Sequence, residues 1–431
     1  MKLLIKGGRI IDPKNGRDEV GDLLVERDKI AQVGKNLSAN GAEVIKAEGL
    51  WVTPGLIDMH VHLRQPGRED EETILSGSRA AVKGGFTSVL PMANTDPVTD
   101  NRGTVEFLLS EATRVGLVNI FPVGAVTRGL KGEALSDIGE LKEAGCVALS
   151  DDGKPIQNTK LMRHALEYAA MVDLPIIAHE EDPYLFEDGA MNEGYMSTVL
   201  GLSGIPPICE SVMVGRDIEL LRLVGGRLHF AHISSHPSLR LIRQAKKEGL
   251  RVSCETAPHY FSLTDESISS FDANFKMNPP LRTGEDREAV KRALSDGTLD
   301  CIASDHAPHS ENEKDAEFDA APFGIIGLES SLGITLTHLV HTGLLSPSDL
   351  VTRMSLSPAT ILGLSKGTLS AGRDADITLI DPAVTWILRA DEFESKSRNS
   401  PFIGWELKGR AKMTIVGGRI VMKDGKVLKG E

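Results

Sequence analysis

Short apolar runs alternate with amphipathic stretches through the middle of this 431-residue chain. Eight runs are long and apolar enough to form buried strands: 56–62, 88–92, 120–125, 146–150, 175–179, 227–232, 251–255 and 300–304. Each is bounded by Gly, Pro or charged residues and followed by a helical pattern, as at 72–85, 104–116, 160–172, 238–249 and 287–297. Eight strand-then-helix units in about 300 residues predict an α/β fold of the (β/α)8, or TIM-barrel, type.

A doubly wound open sheet is the competing architecture. Such a sheet normally carries a Gly-rich phosphate loop after its first strand. Here the first strand instead ends in His60-Val61-His62, so the barrel is the better prediction.

The two ends of the chain resemble each other. Residues 3–11 and 414–421 are β-rich runs that contain Gly-Gly, and turn residues follow both. We therefore predict a small β-sandwich domain made from 1–54 and 366–431, with the barrel over 55–365. Two unrelated edge hairpins are the alternative.

Charge and cysteine content exclude several classes of protein. A formal net charge of −13 and the lack of a long Lys/Arg run argue against a nucleic-acid partner. The four cysteines form no C-x-x-C pair, so buried free thiols are expected. No apolar run is long enough for a signal peptide or a membrane span, which predicts a cytoplasmic protein without a membrane partner.

Polar residues gather where the predicted strands end. In a barrel these ends meet at the catalytic face. His60 and His62 lie two apart on a strand and therefore point to the same side. The predicted metal ligands are four histidines and two aspartates: His60, His62, Asp152, His179, His232 and Asp305. This donor set suits zinc or a similar divalent ion.

Six ligands exceed the needs of one open zinc site, so two ions are favoured over one. The expected division gives His60, His62 and Asp305 to the first ion, with His179 and His232 on the second. Asp152 would bridge the ions, which would also share a hydroxide, because zinc lowers the pKa of bound water to about 7. Asp305 either serves as a general acid/base as well or is purely a ligand.

Several motifs resemble those of the amidohydrolase superfamily and, within it, the class I dihydroorotases. The resemblance covers nearly the whole chain. It is carried by 54–67 (PGLIDMHVHLRQPG), 84–89 (GGFTSV), 91–98 (PMANTDPV), 150–153 (SDDG), 255–260 (ETAPHY), 276–282 (KMNPPLR) and 304–309 (SDHAPH). The His-x-His stretch marks only the superfamily, whereas the contexts of Arg64 and Asn94 and the stretch 277–282 are more specific.

The resemblance implies a zinc-dependent hydrolase that reversibly closes N-carbamoyl-L-aspartate to (S)-dihydroorotate in de novo pyrimidine synthesis. It implies that Arg64, Asn94 and His309 hold the substrate carboxylate, and an Arg fork suits a carboxylate. Asn278 and the backbone at Phe323 and Gly324 would hold the amide and carbonyl groups of the ring. The full set of expected substrate contacts is His62, Leu63, Arg64, Asn94, Asn278, His309, Phe323 and Gly324.

Some alternatives stay open at the level of sequence. Ala93 stands where many relatives have Pro, and a carbamylated Lys154 could bridge the metals instead of Asp152. Residues 310–323 are either a mobile lid or an exposed loop without a role. The rival functions are a hydantoinase or allantoinase, or a non-catalytic scaffold for aspartate transcarbamoylase. The chain is also expected to form a homo-oligomer or a complex with that transcarbamoylase.

Overall fold

The computed structural model describes residues 2–428 as a mixed α/β protein. Its strands are β1 (Lys2–Asp12), β2 (Arg17–Glu26), β3 (Lys29–Gly34), β4 (Glu43–Lys46), β5 (Trp51–Pro54), β6 (Leu56–Val61), β7 (Phe86–Pro91), β8 (Asn119–Ile120), β9 (Val123–Gly124), β10 (Ala148–Leu149), β11 (Ile176–Ala178), β12 (Met191–Asn192), β13 (Gly204–Ile205), β14 (Leu228–Phe230), β15 (Val252–Thr256), β16 (Cys301–Ile302), β17 (Ile377–Ile387), β18 (Glu406–Val416), β19 (Arg419–Lys423) and β20 (Lys426–Val427).

The α-helices follow the strands in the predicted alternation. They are α1 (Ile74–Gly84), α2 (Arg102–Val115), α3 (Ile138–Ala144), α4 (Thr159–Met171), α5 (Pro183–Phe186), α6 (Tyr195–Leu200), α7 (Ile208–Val224), α8 (His236–Lys247), α9 (Pro258–Ser262), α10 (Gly284–Asp296), α11 (Glu311–Lys314), α12 (Ser331–Thr335), α13 (Pro347–Val351) and α14 (Ser357–Leu362). Two π-helical turns, Leu336–Val340 and Thr352–Leu356, extend α12 and α13.

Helix ends lie within a few residues of the predicted ones because side chains cap them. Thr73 and Thr283 accept backbone N–H groups at the starts of α1 and α10. Gly85 and Gly116, both in the left-handed region, close α1 and α2. Apolar periodicity therefore indicated the helices, and the caps define their limits.

Both ends of the chain enter one nine-stranded sheet of order β20-β19-β18-β17-β5-β1-β2-β3, in which β4 also pairs with β1. The pairing between β5 and β17 joins the two halves, for example at Val52 and Leu379. Buried Leu3, Ile10 and Ile415 belong to the same hydrophobic cluster in this sheet. The described residues of the two ends therefore form one shared sheet and not two unrelated hairpins.

Each of the eight predicted runs contributes parallel strands. β6, β7 and β8 form one sheet, and β9, β10, β11, β14, β15 and β16 form another. The third run supplies a strand to each sheet, because it is interrupted at Phe121 and Pro122, and Pro cannot donate to a ladder. A further contact joins the first predicted run to the segment after the last one. Val61 forms a parallel bridge with His306, and the His62 backbone N–H donates to the His306 carbonyl at 2.8 Å.

All four cysteines are free and buried, which confirms the prediction from their spacing. Burial raises the pKa of Cys146 and of Cys254 to about 12, so these thiols stay protonated. In the described part of the chain, no helix is both long and apolar enough to cross a membrane.

Candidate metal centre and active site

The six predicted ligands meet at the carboxyl ends of the parallel strands. Asp152 lies at the centre of this cluster, and its carboxylate oxygens approach ring nitrogens of four histidines at 3.3–3.5 Å. Asp305 lies beside it, 3.3 Å from His62 Nε2 and 3.5 Å from His60 Nε2. All six side chains are buried: His60, His62, Asp152, His179, His232 and Asp305.

The donor atoms form overlapping sets that suit a divalent cation. Three sets have all their donor atoms within 4.8 Å of one another: His60, His62 and Asp152; Asp152, His179 and His232; and His60, His232 and Asp305. His60 Nε2 is buried and has no hydrogen-bond partner. Two ring nitrogens, His179 Nδ1 and His232 Nε2, approach to 2.9 Å. Nitrogen and carboxylate donors that converge in this way fit zinc or a related ion.

The electrostatics of the cluster also favour a bound cation. Burial disfavours the charge on Asp152, yet the surrounding histidines lower its pKa well below the usual range. Burial likewise opposes protonation of His60, but Asp152 and Asp305 raise the pKa of this imidazole well above its usual value. The two carboxylates therefore require positive charge between them, which protons or a metal ion can provide.

Glu255 contacts the candidate ligand His60 through the imidazole Nδ1 atom. The sequence did not indicate this role. One of its oxygens lies 3.0 Å from His60 Nδ1, and the other lies 3.3 Å from His229 Nε2. His229 Nδ1 in turn contacts Ser253 Oγ at 2.8 Å. Burial opposes ionisation of Glu255, but His229 and His60 lower its pKa to about 2. An ionised Glu255 accepts the Nδ1 proton of His60 and leaves Nε2 free to face the cluster.

Three candidate site residues have an uncommon backbone conformation. Arg64, His232 and Asp305 have positive φ angles of 59°, 33° and 48°. For residues other than Gly, this conformation costs on the order of 1–3 kcal/mol and is found mostly where surrounding structure enforces it. In each case it occurs just beyond the end of a parallel strand, where the chain turns toward the next helix.

A cavity of about 370 Å³ opens above the cluster. Arg64, His309 and Asn278 line it together with five of the six candidate ligands. The complete lining is His62, Arg64, Asn94, Asp152, Gly153, His179, His232, Met277, Asn278, Asp305, Ala307, His309, Pro322, Phe323 and Gly324. Leu63 is the exception among the predicted contacts, because its side chain packs in the hydrophobic core.

The polar groups of the cavity wall contact one another and the cluster. Arg64 Nε donates to the Pro308 carbonyl at 3.1 Å, and Arg64 Nη2 lies 3.4 Å from His309 Nε2. Asn94 Oδ1 lies 2.9 Å from His62 Nδ1. Asn278 Nδ2 donates to Glu181 Oε2 at 2.7 Å. The predicted carboxylate contacts and the predicted ligands therefore border one space.

Lys154 and Asp152 differ in position. Asp152 is buried among the histidines, whereas the Lys154 side chain is exposed. The geometry therefore favours Asp152 as the bridging group over a carbamylated Lys154.

The segment 310–323 lines the cavity only at Pro322 and Phe323, and it is packed in place. Lys314, in α11, is buried, and its Nζ donates to the Ala273 carbonyl at 2.9 Å and to the Pro322 carbonyl at 2.8 Å. Lys276 Nζ lies 4.5 Å from the centre of the Phe323 ring. The segment therefore has internal anchors, and its role as a lid stays a prediction.

Comparison with known proteins identifies the family of the chain. The family model described as "Dihydro-orotase-like" matches residues 49–238. A dihydroorotase of Geobacter metallireducens is 56% identical over 424 residues, which are 98% of this chain and 100% of that protein. A dihydroorotase of Pelobacter propionicus is 53% identical, with the same shares covered.

Among solved structures, the chain is similar to the L-hydantoinase (dihydropyrimidinase) of Arthrobacter aurescens. The TM-score is 0.88 at 27% identity, over 99% of this chain and 97% of that one. The dihydropyrimidinase of Brevibacillus agri has a TM-score of 0.86 at 24% identity, over 99% and 96% of the two chains, which shows a shared fold. The motif resemblance is confirmed: the chain belongs to the dihydroorotase family, within the amidohydrolase superfamily.

Proposed function

We propose that this chain catalyses the reversible ring closure of N-carbamoyl-L-aspartate to dihydroorotate, a step of pyrimidine synthesis. One observation carries the proposal: five of the six clustered candidate metal ligands and the cation Arg64 border the same cavity. A substrate with a reactive amide and a carboxylate needs both features, whereas a ring without a carboxylate needs only the first.

The architecture that we propose for this reaction is a closed barrel of eight parallel strands over 55–365. The bridge between Val61 and His306 supports closure, because it joins the first strand to the segment after the last one. The strands of the nine-stranded sheet would form a separate β-domain from 1–54 and 366–431.

For the metal centre, we keep the division predicted from the sequence. His60, His62 and Asp305 would hold one zinc ion, His179 and His232 a second, and Asp152 would bridge them. The close approach of Asp152 to four imidazoles supports its central place. Bound zinc would supply a nucleophilic water near neutral pH and polarise the carbonyl under attack.

Substrate binding falls to the cavity wall. Arg64 and His309, with Asn94, would hold the carboxylate through charge-assisted hydrogen bonds. Asn278 and the backbone of Phe323 and Gly324 would orient the ring amide. A substrate held in this way would have its amide carbon next to the metal ligands. Binding would then already orient the reacting groups, which lowers the entropic cost of the reaction step.

Asp305 is the proposed general acid/base. In hydrolysis its carboxylate accepts a proton from the attacking water and returns it to the ring nitrogen as the C–N bond breaks. In ring closure the carbamoyl nitrogen attacks the side-chain carboxyl carbon, and its proton passes through Asp305 to the leaving oxygen. A second proton, taken up from solvent, lets that oxygen leave as water. His62 and His60 flank Asp305 and keep it ionised in the resting protein, since both lower its pKa against the effect of burial.

Turnover of three rings tests the function. Purified, zinc-supplemented protein is assayed with dihydroorotate, hydantoin and allantoin under identical conditions. We expect kcat/KM for dihydroorotate to exceed the other two by about 100-fold or more, equivalent to roughly 2.7 kcal/mol. Comparable rates on the carboxylate-free rings would indicate a hydantoinase-type enzyme, the class of the solved structures. No turnover of any ring after zinc addition would favour a scaffold.

Anomalous scattering from crystals of the zinc-loaded protein tests the metal centre. We expect two peaks with Asp152 between them. A single peak would reduce the proposal to one ion, and a peak beside Lys154 would remove Asp152 from the bridge.

A further inference from the structure

Glu71 is a buried carboxylate that has no place in the reaction described so far. It lies in the loop between β6 and α1, and only 1% of the residue surface is exposed. Oε2 forms an ion pair with Arg64 Nε at 3.0 Å, and Oε1 lies 2.8 Å from His309 Nδ1. Arg68 Nη2 approaches Oε1 at 3.2 Å from the solvent side. One side chain therefore touches two of the expected contacts of the substrate carboxylate, Arg64 and His309.

The contact with Arg64 determines which edge of the guanidinium is available. A guanidinium has five N–H donors in a rigid fork. Its Nε side is occupied by Glu71 at 3.0 Å and by the Pro308 carbonyl at 3.1 Å. The Nη2 group meets His309 Nε2 only at 3.4 Å. The Nη edge is the one that grips a carboxylate with two parallel hydrogen bonds, and Arg64 lines the cavity.

The contact with His309 orients the imidazole. An ionised carboxylate can only accept hydrogen bonds, so Nδ1 carries the proton that faces Glu71. On the opposite side, Nε2 lies 2.8 Å from the Phe323 carbonyl. Burial lowers the pKa of His309, and Glu71 acts against that shift, while Arg64 and Lys314 favour the neutral ring. Glu313, 4.0 Å from Nδ1, is the remaining charged group at this ring.

Two opposite effects on substrate binding follow from these contacts. The negative charge of Glu71 weakens the attraction of Arg64 for a substrate anion. Its two anchoring contacts, however, hold both donors in place, and a buried ion pair that loses one partner loses its geometry. Arg64 has its strained backbone and the Pro308 carbonyl as its other restraints. We infer that positioning dominates.

We propose that Glu71 is a positioning residue for the substrate carboxylate: it holds the Arg64 guanidinium and the His309 ring together where the carboxylate would bind. This inference rests on the proposed function. It adds a residue that is neither one of the six candidate metal ligands nor one of the expected substrate contacts. The positioning role and a merely electrostatic one predict KM changes of opposite sign.

Two variants of Glu71 separate these roles. Glu71→Gln removes the charge but keeps the shape, and Glu71→Asp keeps the charge but withdraws the carboxylate by one methylene. If Glu71 positions the donors, both variants raise KM for dihydroorotate by about 10-fold, with kcat changed less than about 2-fold. Asp70→Asn, which removes the neighbouring exposed charge, is the matched control and should leave KM unchanged.

The outcomes distinguish the possibilities. A KM that falls in Glu71→Gln and is unchanged in Glu71→Asp would show that Glu71 only screens charge, which overturns the proposal. A loss of kcat without a change in KM would overturn it as well. If Glu71→Gln does not fold, Glu71→Asp decides the question alone.

Binding of orotate, measured by calorimetry with the zinc-loaded protein, makes the test independent of turnover. The proposal predicts a similar 10-fold loss of affinity in Glu71→Asp. Wild-type protein that binds orotate without turning over dihydroorotate would contradict the proposed function but not the role of Glu71. Wild-type protein that does not bind orotate would contradict both.

Discussion

The six candidate metal ligands, five of which line the cavity, form its floor. They come from the ends of the parallel strands β6, β10, β11, β14 and β16. Its rim consists of Arg64, Asn94, Asn278, His309 and Phe323, which lie on loops and are partly exposed. The floor combines two ionised carboxylates with four imidazoles and demands positive charge. The rim presents the Arg64 guanidinium, an imidazole and two amide groups, which suit an anion.

This difference separates two tasks. Strand ends of a parallel sheet are held by their neighbours, so side chains on them keep fixed distances, as metal binding needs. Loops vary more freely and therefore carry the contacts that select a substrate. The L-hydantoinase of Arthrobacter aurescens and the dihydropyrimidinase of Brevibacillus agri share the fold of this chain at only 27% and 24% identity. We therefore expect changes in the floor to affect chemistry and metal, and changes in the rim to affect KM.

Substitution of Asp305 should have the largest effect. Asp305→Asn keeps the shape of the side chain but cannot accept the proton, so kcat should fall by about 10²–10⁴-fold. Asp305→Ala should also weaken one metal, which elemental analysis after dialysis would show as lost zinc. An Asn variant with more than a tenth of wild-type kcat would mean that Asp305 is purely a ligand.

Arg64→Met tests the rim. Loss of the guanidinium fork should raise KM for dihydroorotate by about 100-fold, because a charged hydrogen-bonding partner in a partly buried site is worth roughly 2–3 kcal/mol. Zinc content should stay at the wild-type value, as elemental analysis can verify. Metal loss in this variant would mean that floor and rim are not separate.

Glu255→Gln tests the support of the floor. The amide cannot hold the Nδ1 proton of His60 as the carboxylate does, so zinc affinity should fall by about 10–100-fold. Competition with a chromogenic chelator gives the affinity directly, without an activity assay. Glu219→Gln, on the exposed face of α7, is the matched control and should bind zinc like the wild type. Unchanged affinity in Glu255→Gln would show that His60 is oriented by its strand alone.

Lys314→Met should give the smallest effect and concerns stability. Burial lowers the pKa of Lys314 to about 7 from an ordinary 10.5. Between these pH values the unfolded chain binds more protons than the folded one, so the lysine makes the folded state more stable as the pH rises. The free energy of unfolding of the wild type, minus that of the variant, should therefore increase from pH 7 to 10.5.

Chemical denaturation at several pH values measures this difference. The exposed Lys160 gives the control, Lys160→Met, whose difference from the wild type should not depend on pH in this range. A flat difference for Lys314→Met as well would mean that the ammonium is fully stabilised by its carbonyl partners.

The sequence by itself determined the elements, the family and the candidate ligands. Apolar runs that end in His or Asp mark strands whose ends meet, and this pattern is local, so it can be read along the chain. Repeated strand-then-helix units indicated the α/β class, and the His-x-His spacing indicated a shared face for His60 and His62. The motif around Arg64 identified the family.

Only the tertiary structure decided which groups support these residues. Glu255 lies 195 residues from His60, and Glu71 lies 238 residues from His309, so no local pattern connects either pair. The split of the third run between two sheets also depends on which neighbours pair with each half. Hydrogen bonds between distant segments form only after the strands have brought these segments together. The sequence names both residues of such a pair but does not show that they lie close in space.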